Sequence, residues 1–141
     1  MTRRVLTIVG AVLLLLPLQT DTSLGKSRKP QRLATGTWGG QHVRMEVTAS
    51  SATLEYDCAN GAITGPLTVD RRGRFSWRGT HTREHGGPIR ADEKSNTRPA
   101  RYTGSTDGKK ITLTVTLTDT NETLGTYALM RGQQGRIFKC L

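Results

Sequence analysis

Between residues 111 and 118 the chain alternates without a break. Ile111, Leu113, Val115 and Leu117 interleave with Thr112, Thr114, Thr116 and Thr118. A period of two sends every aliphatic side chain to one face of an extended strand and every threonine to the other. Such a segment is stable only in a sheet that covers the first face and wets the second. Asp107-Gly108 precedes it and Asp119-Thr120-Asn121-Glu122 follows it, both turn signals. The same grammar recurs along the chain. Residues 36–48 carry Val43, Met45 and Val47 in phase, with Trp38 out of phase and Gly39-Gly40 expected to form the bulge that resets the alternation. Residues 53–58 group Leu54, Tyr56 and Cys58, and Asn60-Gly61 predicts a turn. Residues 62–69 are interrupted by Gly65-Pro66, as in an edge or bent strand. Asp70-Arg71-Arg72-Gly73 turns the chain into residues 74–83, where Phe75, Trp77, Gly79 and His81 share a face. A polar loop over 84–98, strands over 100–106 and 123–131, and a short last segment over 136–140 complete a meander. No helical period occurs in this region. The pattern predicts an all-β fold, an antiparallel up-and-down barrel of about seven to eight strands, because closure removes the exposed edges a thin sheet cannot protect.

The first 22 residues follow a different rule. Arg3 and Arg4 precede an apolar run over 5–16, which contains Leu13-Leu14-Leu15-Leu16, is ended by Pro17 and is followed by polar residues from Gln19 to Ser23. The run falls short of the roughly 20 apolar residues a bilayer span needs. Basic front, short apolar run and polar exit predict a cleavable signal peptide of bacterial type over 1–22. The mature protein is then secreted or periplasmic, with no stable membrane span after cleavage. Residues 23–35 include Lys26, Arg28, Lys29 and Arg32 and lack apolar periodicity, so a basic flexible tether is expected there. Residues 36–141 are left as the barrel domain, expected to be a monomer.

Export gives the two cysteines a meaning. An even count in an oxidising compartment predicts one disulfide, Cys58–Cys140, closing a loop of about 80 residues and pinning the C-terminus. The formal charge is +10, and loss of Arg3, Arg4 and Asp21 with the leader leaves +9. That favours anionic partners. The cations are scattered along the whole sequence and concentrated on no single element, so nucleic-acid binding is not expected.

Gly36-Thr37-Trp38, opening the first barrel strand, resembles the Gly-x-Trp that opens lipocalins and related calycin barrels. The resemblance implies that Trp38 plugs one end of the barrel. It also implies an arginine late in the last strand packed across the indole, a role for Arg131 or, second, Arg136. A late cysteine tying the tail to the wall, as Cys140 would to Cys58, fits the same architecture. The second lipocalin motif, around Thr-Asp-x-Arg, has no match, and the family's C-terminal helix is missing, so no ligand is carried over.

Trp38, Phe75, Trp77, Tyr102 and Tyr127 are the candidates to shape a small ligand pocket, with Gly79 and Gly104 leaving space among them. Tyr56 and Phe138 complete the aromatic set, and an eight-stranded barrel is near the size where such side chains either pack solid or leave room for one small ligand. Arg83, His85 and Arg90 are the candidates to attract an anion at the long loop. Arg83-Glu84-His85-Gly86-Gly87-Pro88 joins a base, an acid and two flexible residues, yet no Gly-x-Ser-x-Gly nucleophile or carboxylate pair accompanies it. No enzymatic activity is therefore expected. His42, His81 and His85 have no fixed carboxylate partner in the sequence, and neither metal nor other cofactor is expected. The expectation is an exported, non-enzymatic β-barrel that binds a small molecule or an anionic envelope component. The alternative is a secreted interaction or inhibitor protein that uses its long loop or its N-terminal arm against a protein partner.

Overall fold

The computed structural model describes residues 29–141, all of them strand, turn or irregular chain; the expected signal peptide and the first part of the expected tether lie outside that range. Ten strands follow in order: β1 Gln31–Arg32, β2 Gly36–Gly40, β3 Val43–Val47, β4 Ser51–Tyr56, β5 Ala59–Thr64, β6 Thr68–Val69, β7 Arg74–Arg83, β8 Thr97–Thr106, β9 Lys110–Leu117 and β10 Glu122–Arg131. Eight of them close a barrel in the order β10-β2-β3-β4-β5-β7-β8-β9, every neighbouring pair antiparallel. This is the up-and-down meander that the alternation predicts, and β9 buries Ile111, Leu113, Val115 and Leu117 as its period requires.

Two turns differ from expectation. Gly39-Gly40 form no bulge: β2 and β3 pair continuously, Trp38 opposite Met45 and Gly40 opposite Val43, through the two-residue connection Gln41-His42. That connection alone reverses the parity between the strands, with His42 at a φ of 65°. The glycines serve close approach instead. A Cβ on Gly39 would lie 2.2 Å from the backbone nitrogen of Gly135, in the C-terminal tail that runs back along β2. Asn60-Gly61 lie inside β5, and the turn falls at Asp57-Cys58, where Cys58 takes a φ of 56°. Gly61 is needed there because a Cβ would sit 2.2 Å from the Tyr102 hydroxyl.

One end of the barrel is closed by the chain that precedes it. β1 pairs with β6, and Leu33 donates its N–H to Leu67 O at 2.8 Å. Leu33, Leu67 and Val69 join the core cluster. Trp38 is fully buried and donates its indole N–H to Ala34 O at 3.0 Å; Trp77 donates to Thr68 O at 2.9 Å. The segment 31–34 is thus part of the fold, not of a free tether, because Leu33 caps apolar surface that the barrel end would otherwise expose. Likewise 62–69 splits at Gly65-Pro66 into a barrel strand and β6, the second strand of this cap.

The tail after β10 turns back toward the opposite end. Gly132 donates to Thr37 O at 2.7 Å, Arg136 to Gly40 O at 2.9 Å, and His42 to Arg136 O at 2.8 Å. There Cys140 bonds to Cys58, 82 residues earlier, with Cα atoms 5.0 Å apart.

Candidate ligand site at the barrel mouth

The interior fills from the closed end. Trp38, Phe75, Trp77 and Tyr102 are buried, and Phe75 and Trp77 stack with centroids 3.8 Å apart. The space beside Gly79 and Gly104 is occupied: a Cβ on either would lie 3.0 Å from the ring of Tyr102 or of Phe75. These four aromatics are core, and none lines any of the clefts described here. Of the five expected pocket residues, only Tyr127 reaches a cleft.

The packing stops below the other end, which the turns at 41–42, 57–58 and 118–121 and the loop 84–96 surround without covering. Two clefts share His81, Arg83 and Leu124 at this mouth. One, of about 530 Å³, extends to Thr97, Arg98, Leu117 and Glu122. The other, of about 300 Å³, reaches Tyr56, Ala59 and Tyr127. Tyr56 comes from the end of β4, His81 from near the end of β7, and Tyr127 from the middle of β10. Their rings form one aromatic group, with Tyr56 5.5 Å from His81 and 5.1 Å from Tyr127 between centroids.

Two polar atoms in this group are buried and have no hydrogen-bond partner: Tyr56 Oη and His81 Nδ1. Tyr56 is 2% exposed. Burial, then the adjacent Tyr102 hydroxyl, push the Tyr56 hydroxyl far above its ordinary range. Tyr102 donates to Thr80 O at 2.6 Å, and the Tyr56 hydroxyl has no hydrogen-bond partner. Burial first, then the Arg83 and Arg98 guanidinium groups, hold the His81 imidazole below its ordinary value, so it is neutral at neutral pH. An unpaired buried polar group costs about 1–3 kcal/mol, and most are satisfied in native proteins. Both belong to residues that line the mouth clefts, so a polar group that reaches them supplies the missing bonds.

Arg83 is exposed, lines the mouth clefts and forms no ion pair among the described residues. Arg98 is committed instead, donating from Nε and Nη2 to Asp119 at 2.9 and 2.8 Å. Of the other expected anion-binding residues, His85 shares with Arg83 a third cleft, of about 480 Å³, along the loop 84–96. His85 bonds Glu93 and the Gly86 carbonyl within its own loop, and these contacts, Gly86 first, raise its pKa. Arg90 lines none of these clefts. Glu84 accepts from Asn60 at 2.7 Å and pairs with Lys139 at 3.6 Å. Glu84 and His85, adjacent in sequence, are thus tied to different partners, and Arg83 is left without an ion pair among the described residues. Arg131 stands opposite Trp38 in the β10–β2 ladder, where the calycin resemblance places an arginine, but its side chain is exposed and the indole is sealed by Ala34.

Tyr56 and His81 were legible only in part. Their phase with Leu54 and with Phe75-Trp77 marks them as inward-facing. That the core ends just beneath them depends on strand stagger.

The molecule belongs, by architecture, to the closed eight-stranded antiparallel meander barrels and is compatible with a calycin-like fold. No family model matches the chain, and neither curated proteins nor solved structures give a match.

Proposed function

We propose that this is an exported, non-enzymatic, lipocalin-like barrel that takes a small molecule with an acidic group into its mouth. One observation carries the proposal: Tyr56 Oη and His81 Nδ1 are buried and unpartnered, on rings whose centroids lie 5.5 Å apart at the open end. A carboxylate accepts from the Tyr56 hydroxyl and from the Nδ1–H tautomer of His81, while Arg83 supplies charge from the rim. Leu117, Leu124 and Tyr127 receive an apolar body. The cup is shallow, which fits a ligand of modest size held by its head group.

The test is a nuclear magnetic resonance titration with a panel of short- to medium-chain aliphatic and aryl monocarboxylates. At least one is expected to shift the His81 ring and the Tyr56 and Leu124 resonances, and to bind Tyr56→Phe about fivefold more weakly, the worth of one hydrogen bond of about 1 kcal/mol. No mouth shift with any member of the panel, or equal affinity in Tyr56→Phe and His81→Phe, would sink the proposal.

A second reading, an interaction protein, draws on exposed apolar side chains at the same end. Ile89 in the loop 84–96 is 85% exposed and Phe138 in the tail 56%. The N-terminal arm is a poorer candidate for insertion into a partner, since 31–34 is held in the cap. Binding of a protein from the secretion compartment that Ile89→Ser and Phe138→Ser abolish, with carboxylate binding absent, would favour this reading.

A further inference from the structure

The cations that are scattered in sequence are gathered by the fold. Residues 29–141 hold 17 lysines and arginines against 10 carboxylates. The turns and strand ends around the cap carry seven of those cations against two carboxylates, Asp70 and Asp107, and so supply five of the excess seven; Glu46, on β3 near the same end, is neutralised by Arg44. Arg71, Arg72 and Arg74 come from the β6–β7 turn, Lys109 and Lys110 from the β8–β9 turn, Arg131 from the end of β10 and Arg32 from β1. At the mouth, by contrast, Arg98 is matched by Asp119 and Lys139 by Glu84.

Asp70 and Asp107 are both bound within their turns. Asp70 Oδ1 accepts from Arg72 N and Arg74 N, both at 2.8 Å, and Asp107 Oδ1 from Lys109 N and Lys110 N at 2.8 and 2.7 Å. Only Arg74 of the seven cations forms an ion pair among the described residues, with Asp70 at 3.2 Å. Arg32, Arg71, Arg72 and Arg131 line a groove of about 350 Å³ between the cap and the two turns.

We infer that this groove is a second binding site, for a linear acidic polysaccharide bearing sulfate, phosphate or uronate groups. Arginines on both walls suit a single file of anionic groups, each able to take a guanidinium fork. The groove lining contains no aromatic side chain, so the stacking on which single-stranded nucleic acids rely is missing. None of Ile89, Phe138 and Leu141, the most exposed apolar side chains, lies in it, so nothing there inserts into a lipid surface. The site faces away from the mouth and does not depend on what the mouth binds.

Two charge reversals of equal size test the site on the full mature chain, with heparin as the polysaccharide probe at near-physiological salt. Arg71→Glu/Arg72→Glu, in the groove, is expected to weaken heparin binding at least tenfold and to flatten its salt dependence. Arg90→Glu/Lys94→Glu, in the loop beside the mouth, is expected to change it less than twofold. Equal losses would show that net charge alone drives the binding and would overturn the site. Near-ultraviolet circular dichroism checks each fold, and the milder Arg71→Gln/Arg72→Gln keeps the test open if the reversal unfolds the turn. Tighter binding of duplex DNA, single-stranded DNA or phosphatidylglycerol vesicles than of heparin would overturn the polysaccharide assignment.

Discussion

Tyr56 carries a buried hydroxyl with no partner, one of two such side-chain atoms among the described residues, the other being His81 Nδ1. Phenylalanine fits the same space without the stranded oxygen. Tyr56→Phe is therefore expected to leave stability unchanged or to raise it by up to about 1–3 kcal/mol, measured by urea unfolding. Stability gained together with carboxylate affinity lost is the pattern of a binding group kept at a cost to the fold. His81 makes a prediction in pH. Its pKa in the fold lies below the ordinary 6.5 because burial and two arginines oppose its charge. The unfolded chain therefore binds the proton more readily. The stability this neutral imidazole contributes is fully present above about 6.5 and falls as pH drops toward the lowered folded value. His81→Phe should flatten that part of the stability–pH profile, read from urea midpoints at closely spaced pH values. A bound anion should shift the His81 titration upward, by stabilising the imidazolium.

At the scale of elements, the cap and the tail decide whether the barrel holds together. β1 is only two residues long, yet it positions Leu33, which is 6% exposed. Leu33→Ala should cost about 2 kcal/mol or somewhat more, the low end for a buried leucine, because the site lies at the barrel end and can partly collapse. Removal of all residues through Thr35 should cost more, since it strips the Ala34 acceptor from the Trp38 indole as well. A thermal melt of the truncated chain indistinguishable from the full mature chain would contradict this. At the tail, Gly39→Val would drive a side chain into the Gly135 backbone. Overpacking of this kind costs about 1–3 kcal/mol, and hydrogen exchange should show the amides of Gly132 and Arg136 losing protection before those of β9.

At the scale of the whole molecule, the disulfide joins the tail to the β4–β5 turn across 82 residues. Chain-entropy arithmetic limits its stabilisation to about 4.5 kcal/mol, with about 2–4 kcal/mol typical. The double variant Cys58→Ala/Cys140→Ala should unfold at a correspondingly lower urea midpoint while the barrel strands remain. The tail also reaches the mouth, where Asp57 accepts from Phe138 N at 2.7 Å and bonds His42 through its other oxygen. Loss of the disulfide should thus loosen one wall of the mouth and weaken ligand binding, with the polyanion groove at the far end unchanged. The two ends are chemically distinct: the mouth holds two unpartnered buried polar atoms beside Arg83, and the cap end a groove lined by four arginines.

The period-two alternation by itself determined that the chain is all-β and that β9 buries its aliphatic face, because side-chain direction in a strand is a local property. The phase of Phe75, Trp77, Gly79 and His81 and the pairing of the two cysteines were legible for the same reason or by simple counting. Only the tertiary structure decided where the core ends, that Tyr102 and Phe75 fill the room beside Gly79 and Gly104, and that Leu33 belongs to the fold. Those facts depend on strand stagger and on which segment covers an open end, which no local pattern encodes. The charge distribution is the clearest case. Arginines and lysines spread from residue 32 to residue 131 look diluted along the chain, yet a meander returns alternate turns to the same end. The topology of the barrel therefore concentrates them into one basic surface.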